Sequence, residues 1–356
     1  MSVLLRAHTS AAFLALAVLL LAADTARATV TIQWVPVHNA GNAPDANGKG
    51  AVATNYAISK YEITNAQYVE FLNAKDATGA NLLELYSPEM SAFQPSGGIE
   101  FTPGNPVGSK YSIKAGRANR AVMYTSYYAS LRFANWIHNG QGSGSTETGA
   151  YELFGGGVAV VPTNSHTIFR NPGAKVYLPT ENEWYKAAYY KGGSTNAGYW
   201  SYATQSNTQP TSAPAPGTAN PTNSANYYYD DNITGNGINE GYAVTQFQLI
   251  NNAVDHLTDV GAYDQSPSAY GTFDQNGSAY EWVEDNVSAD YRRLRGGAWA
   301  VTADRLISSD YVDDVPEGRT RYYGFRLASV PEPGAIATLL LAAAAMLKRR
   351  ARRIAA

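Results

Sequence analysis

"NGSAYEWVEDN", residues 276–286, carries the reading that the rest of the chain depends on. Asn276 and Gly277 form a turn signal. Tyr280, Glu281 and Trp282 then set a carboxylate between two large aromatics, a position in which a charge is pinned rather than solvated. Glu281 is a catalytic acid, a metal ligand, or a strut that accepts hydrogen bonds from loop amides.

Working outward, "LTDVGAYDQSPSAYGTFDQNGSAYEWVED" (257–285) breaks into turns every few residues. On the other side, "RLRGGAWAV" (293–301) and "YYGFRLASV" (322–330) read as two late strands separated by "DRLISSD" (304–310). Earlier in the chain, "VTIQWVP" (30–36) alternates as an opening strand. In "YAISKYEITNAQYVEFLNAK" (56–75), Tyr56, Ile58, Tyr61 and Ile63 suit a strand. Thr64 and Gln67 have the spacing of a capping box, and Tyr68, Phe71 and Leu72 give the helix an apolar face. "RAVMYTSYYASLRFANWIHNGQG" (120–142) repeats the plan. Val122 and Tyr124 suit a strand, Thr125 or Ser126 a cap, and Gly140 a stop. In "AKVYLPTENEWYKAAYYKGG" (174–193), Thr180 and Glu183 form a second capping box, and the helix is expected to run to about Lys191. Residues 84–119 and 192–225 read as long irregular loops.

The composition agrees. The chain has 356 residues, with 32 Gly, 26 Tyr and no cysteine. It therefore has no disulfide, no thiol nucleophile and no thiolate metal site. Both ends read as addresses. Arg6, an apolar run from Ala11 to Ala23 and Ala26-Arg27-Ala28 have the layout of a signal peptide cleaved after Ala28. At the other end, Pro331 and Pro333 precede an apolar run, 335–347, and then Lys348, Arg349, Arg350, Arg352 and Arg353, a cluster that stays on the cytoplasmic side. Without Arg6, Arg27 and those five cations, 19 basic residues face 28 acidic ones once Asp24 is also set aside, a net charge near −9. That charge argues against a nucleic-acid partner.

The tail resembles the PEP-CTERM sorting signal: Pro331-Glu332-Pro333, a short hydrophobic helix and an arginine-rich terminus occur in order. The resemblance implies an exosortase partner that processes residues 330–356. It also implies a transient inner-membrane anchor and release to the cell envelope or extracellular matrix of a Gram-negative bacterium. The body, 29–329, resembles the sulfatase-modifying factor domain of the formylglycine-generating enzyme family. "YEITNAQYVEFLN", "SYYASLRFANWIHNG", "YLPTENEWYKAAYY", "YGTFDQNGSAYEWVED", "RGGAW" and "GFR" stand in that family's order over about 50–328. The fold implied is α+β, an irregular, loop-rich C-type lectin-like fold with short strands and a few helices.

The resemblance also implies sites. Structural calcium would be held by Asn276, Gly277 and Ala279 through backbone oxygens and by the Glu281 carboxylate. A second calcium would use Asn226 and Tyr227 in "SANYYYDD" (224–231), with Asp255 or Asp259 as acid. Oxygen-only ligands suit that hard cation. The sequence departs from the family's usual motif at Ser278 and Tyr280. The family's copper-holding cysteines would fall at Val301 and Leu306, so no copper is expected and formylglycine generation by that mechanism is excluded. His38, His138, His166 and His256 are spread without a metal-ligand pattern, and no nucleophile elbow, phosphate loop or HExxH motif occurs. The expectation is a non-catalytic, exported binding protein. Its ligand face would be built from loops 85–119, 192–225 and 298–322, with Arg295, Trp299, Arg305 and Arg326 as candidate contacts. Arg295 and Arg326 have an alternative role, holding loops through carbonyls and carboxylates. Exopolysaccharide or another envelope component is nominated as ligand by the sorting tail alone. The alternative is a divergent, cysteine-independent enzyme.

Overall fold

Both capping boxes form, and each starts a helix at the position its spacing predicts. Helix α1 is Asn65–Lys75. Thr64 Oγ1 accepts from the Gln67 amide at 3.3 Å and Gln67 Oε1 accepts from the Thr64 amide at 2.9 Å. A single turn, α2 (Glu89–Ala92), follows. Helix α3 (Tyr127–His138) is capped by Ser126, whose Oγ accepts from the Ala129 amide. Helix α4 (Glu181–Tyr189) begins at the Thr180–Glu183 box. It ends earlier than expected because Tyr190 turns extended and bridges to Tyr199. The structure, a computed structural model, describes residues 29–331 except 154–160, 163, 165–166, 232, 234–239 and 289. The signal peptide (1–28), Glu332, Pro333, the apolar segment 335–347 and His166 lie outside the described residues. Among the described residues, no helix is long and apolar enough to cross a membrane.

The strands are short. In chain order they are β1 (Trp34–Val37), β2 (Tyr56–Ser59), β3 (Ile99–Phe101), β4 (Tyr111–Ile113), β5 (Val176–Tyr177), β6 (Thr211–Ser212) and β7 (Ser224–Ala225). Then come β8 (Tyr228–Tyr229), β9 (Gly241–Tyr242), β10 (Tyr280–Asn286), β11 (Arg292–Arg295), β12 (Val312–Asp314), β13 (Tyr323–Gly324) and β14 (Ala328–Ser329). One sheet runs β1-β2-β14-β5, antiparallel throughout. The other runs β12-β11-β10-β13, with β13 parallel to β10. The remaining strands form three two-stranded pairs, one of them a β3–β4 hairpin inside the loop expected to be irregular.

Two differences from the sequence reading have physical causes. Residues 280–286 read only as a continuation of turns, yet they form the longest strand. Tyr280 to Glu284 are all buried, so the polar–apolar alternation that marks a half-exposed strand is missing. Val122 and Tyr124 form no strand. Ala121 makes only a bridge to Thr64, and Tyr124 adopts φ +63°, a left-handed conformation rare for a bulky residue.

The core is aromatic. Tyr68 and Phe71 of α1 meet Phe133 and Trp136 of α3, with Phe71–Phe133 centroids 5.2 Å apart, and Phe325 closes on Phe133 at 5.4 Å. Trp282 of β10 packs against Tyr127 and Tyr323. The loops that join the elements are held largely by buried charge.

Candidate functional site

Glu281 is fully buried in β10, paired with Arg295 in the register on one side and Gly324 on the other. Its Oε2 accepts from Arg326 Nε at 2.5 Å and from Trp184 Nε1 at 2.7 Å; its Oε1 accepts from Arg326 Nη2 at 2.7 Å. Arg326, also fully buried, gives its other N–H groups to the carbonyls of Ser59, Lys60 and Phe273. One ion pair therefore ties α4, β10, the chain after β2 and the loop before residue 276. Calcium requires oxygens free to turn toward it. Here both carboxylate oxygens face N–H donors and the guanidinium already balances the charge.

The turn has its own fastening. Asn276 Oδ1 accepts from the Ala203 amide at 2.6 Å and its Nδ2 donates to the Leu306 carbonyl at 2.7 Å. Gly277 has φ +80°, and a Cβ there would stand 2.2 Å from the Asn226 carbonyl, so the Asn226–Gly277 bridge requires glycine. Ala279 is buried. Asn226 Nδ2 donates to the His256 carbonyl at 2.9 Å, and the Tyr227 carbonyl already accepts from Ser212 Oγ and the Ala243 amide. Asp255 and Asp259 turn their carboxylates to Arg120, and Arg117 also approaches Asp255. The structure thus brings Asn226 and Gly277 together but commits both acids elsewhere. Asp230, Asp231 and Glu240 do place oxygens within 4.8 Å of one another, half-exposed.

The other nominated residues separate. Arg295 is buried; its Nε donates to Glu181 Oε1 at 2.9 Å and its Nη1 to the carbonyls of Ser308 and Asp310. Glu181 also takes Lys49 and Arg293. Burial pushes its carboxyl up, but Arg295 and the other cations prevail and hold it below its ordinary value. Arg305 is exposed and pairs with Asp304 and Asp310. A cavity of about 470 Å³, lined by Gln33, Ser59, Glu62, Gln67 and Asn119 among others, contains Asp259 alone of the nominated residues.

Trp299 stands in a different setting. It is buried, and His256 stacks on it at 5.2 Å and 27°, with Tyr242 at 5.6 Å and Tyr322 at 6.1 Å. Arg321 lies over three rings: Tyr322 at 4.9 Å, Phe93 at 5.5 Å and Trp299 at 5.9 Å. Phe93, Tyr242, Arg321 and Tyr322 are half-exposed. The backbone beneath is pinned residue by residue. The Thr320 carbonyl accepts from the Tyr124 amide, the Arg321 carbonyl from Trp299 Nε1 at 3.0 Å, and the Tyr322 carbonyl from the Tyr280 amide at 2.8 Å. The His256 amide donates to the Pro95 carbonyl, tying the Phe93 loop to the same cluster. His256 is 1% exposed, burial pushes its pKa down, and its Nδ1 has no partner among the described residues.

The sulfatase-modifying factor enzyme 1-like domain family matches residues 23–330. The chain belongs to this family. Its structure is similar to Treponema denticola variable protein 1 (19% identity, TM-score 0.47, covering 85% of this chain and 99% of that one). It is similar also to CarF (18%, 0.46, 85% and 99%) and to PvdO from Pseudomonas aeruginosa (16%, 0.44, 86% and 100%). A comparison with curated proteins finds no match. The expected irregular α+β, C-type lectin-like fold of the sulfatase-modifying factor type is the fold of this member.

Within that fold, the two positions where the family resemblance places cysteines are plugged. Leu306 is fully buried in an apolar cluster with Tyr202, Ala225 and Tyr227, and Val301 packs against it. Loop 192–225 thus contributes Tyr202 and Ala225 to this cluster rather than rings to the Arg321 face. The loops nominated in the sequence supply Phe93, Trp299, Arg321 and Tyr322, while Arg295 and Arg326 take the alternative role, holding loops through carboxylates and carbonyls. The available signal for Arg321 was local: in "RYYGFR" (321–326), Arg321 sits beside two tyrosines.

Proposed function

We propose that this protein is a non-catalytic binding protein whose ligand face is the ring cluster around Trp299. One observation carries the reading: Tyr242 and Tyr322 pack from separate loops on one buried tryptophan, and Arg321 joins Phe93 of a third loop to them, all four half-exposed above a hydrogen-bonded backbone. Rings clustered on a hydrogen-bonded backbone match the apolar faces of sugars. The packing of Leu306 and Val301 supports the non-catalytic reading, since side chains that fill the fold's core stand where the family's redox pair would be. The experiment is binding of the full chain to envelope polysaccharides by calorimetry. Loss of binding in Phe93→Ala/Tyr322→Ala, with the unfolding midpoint unchanged, is the expected result; binding that survives the double variant overturns the reading.

A cysteine-independent enzyme is the second reading, favoured by the buried, half-partnered His256 beside Trp299. Turnover of a bound polysaccharide that is lost in His256→Asn would establish it.

In the same reading Glu281 is a strut. Adding calcium after chelation should leave the unfolding midpoint unchanged. A rise that disappears in Glu281→Gln would establish the metal instead. Export through 1–28, exosortase processing of 330–356 and release to the envelope or matrix complete the proposal. The released full-length gene product should lack the segment after about residue 331 by mass spectrometry, and a released form that retains it would overturn the processing.

A further inference from the structure

Within the binding face just proposed, and resting on that reading, we infer that the ligand is a polysaccharide containing uronate residues, one carboxylate of which is taken by Arg321 locally, against the chain's overall negative charge. The neighbouring arginines of its loop are engaged with protein groups: Arg319 pairs with Glu84 through Nη2, and Arg326 gives every donor group to Glu281 and three carbonyls. Arg321 has no side-chain hydrogen bond and no ion pair among the described residues. Its contacts are with the rings of Tyr322, Phe93 and Trp299. Ring contacts hold a guanidinium in place electrostatically and use none of its N–H groups. The donors therefore remain available, on a side chain already half-withdrawn from water and fixed in position. That arrangement is preorganised for a planar, bidentate acceptor such as a carboxylate.

The rings decide what carries the carboxylate. Phe93 and Tyr322 flank the guanidinium and Tyr242 extends the cluster, so the surface offers apolar faces around one cation. A uronate ring presents the matching pattern, with C–H faces around one carboxylate at its edge. The loop cannot readily swing away to form a simpler ion pair, because the carbonyls of Thr320, Arg321 and Tyr322 are each held by a donor from another segment. Strain at Tyr124, whose amide holds the Thr320 carbonyl from a φ of +63°, falls at the same place.

The test titrates the full chain with oligogalacturonate, dextran and dextran sulfate. Oligogalacturonate is expected to bind, with affinity falling as salt is raised, and Arg321→Ala is expected to weaken it by about tenfold or more. Arg321→Lys should recover only part, because an ammonium keeps the charge and loses the fork. Unfolding midpoints of both variants, matched to the parent, show that the surface and not the fold was changed. Binding of dextran sulfate in preference to oligogalacturonate, or equal binding by Arg321→Ala, overturns the carboxylate assignment. Binding of dextran alone overturns this inference while leaving the ring face intact. Binding of an acidic peptide but of none of the three polysaccharides overturns this inference and the sugar reading of the face together.

Discussion

Arg326 and Arg321 stand close together in sequence and in opposite states. Arg326 is buried, with every N–H direction committed to a carboxylate or a carbonyl; Arg321 is half-exposed and touches only rings. The same side chain thus serves as internal scaffold in one place and as open donor in the other. The difference lies in what surrounds it. A guanidinium taken out of water must be fully partnered or it costs several kcal/mol, whereas one lying against rings at the surface keeps its hydration and its donors. In this fold, whose strands are too short to hold long loops by ladders, buried arginines replace backbone pairing. Arg295 repeats the pattern with Glu181, Ser308 and Asp310.

Removing the scaffold arginine should produce the largest effect. Arg326→Met leaves Glu281 charged in the core beside Trp184, and loss of about 3–5 kcal/mol is expected. Urea denaturation measures it. Adding Glu281→Gln to Arg326→Met should recover part of the loss, since the stranded charge is gone. A single variant of parental stability would break the comparison by showing that Arg326 is not structural. Next comes Leu306→Ala, which opens a cavity in the cluster with Tyr202, Ala225 and Tyr227 and should cost about 2–5 kcal/mol. A much smaller loss would mean that the site tolerates a polar or reactive residue.

Some of this was legible in the sequence. Capping boxes at Thr64 and Thr180 were visible because they are local: two residues at fixed spacing satisfy amides of the same turn. The order of motifs gave the family and hence the irregular fold. Glu281 as a pinned carboxylate was legible, but its partners were not. Trp184 and Arg326 reach it from distant parts of the chain, and no periodicity records a contact of that range. For the same reason the separate settings of the arginines were not legible. Arg295, Arg321 and Arg326 differ in burial and partners, not in their immediate letters. Strand β10 was missed because burial on both faces erases alternation.

The scaffold also buries a carboxyl that has no matching cation of its own. Glu62 is fully buried, lies 3.8 Å from Arg326 Nη2 without a hydrogen bond, and has neither oxygen partnered. Burial, and then the charge of Asp274, push its carboxyl well above the ordinary range; Arg326 opposes the shift and does not cancel it. Glu284 is raised by burial to about 7, against the pull of Arg170. A carboxyl whose folded pKa is raised favours the protonated folded state. Its stabilisation is complete below the unfolded carboxylate range and is lost as pH rises through the folded value. Glu181, held low, has the opposite sign and loses its contribution in acid. Stability should therefore fall as pH rises from the unfolded carboxylate range to about 7 through Glu284, and further through Glu62. Glu62→Gln, which keeps the shape and removes the titration, should flatten that fall. An unchanged slope in Glu62→Gln would show that Glu62 is ionised and matched in the folded state.

The smallest expected effect on stability belongs to Arg321, and it completes the contrast with Arg326. Arg321→Ala removes no hydrogen bond and no ion pair among the described residues, only the ring contacts to Tyr322, Phe93 and Trp299. Such contacts are worth about 0.5–1 kcal/mol at exposed sites, and removing a cation from among exposed rings forfeits little more. The loop keeps its position because its carbonyls, not the side chain, are tied to Tyr124, Trp299 and Tyr280. Urea denaturation of Arg321→Ala should thus show a loss below about 1 kcal/mol, well short of the Arg326→Met loss. A loss equal to that of Arg326→Met would place Arg321 in the scaffold and remove the distinction between the two arginines. A small loss together with weakened polysaccharide binding would show that this fold separates the arginines that hold its loops from the one those loops present.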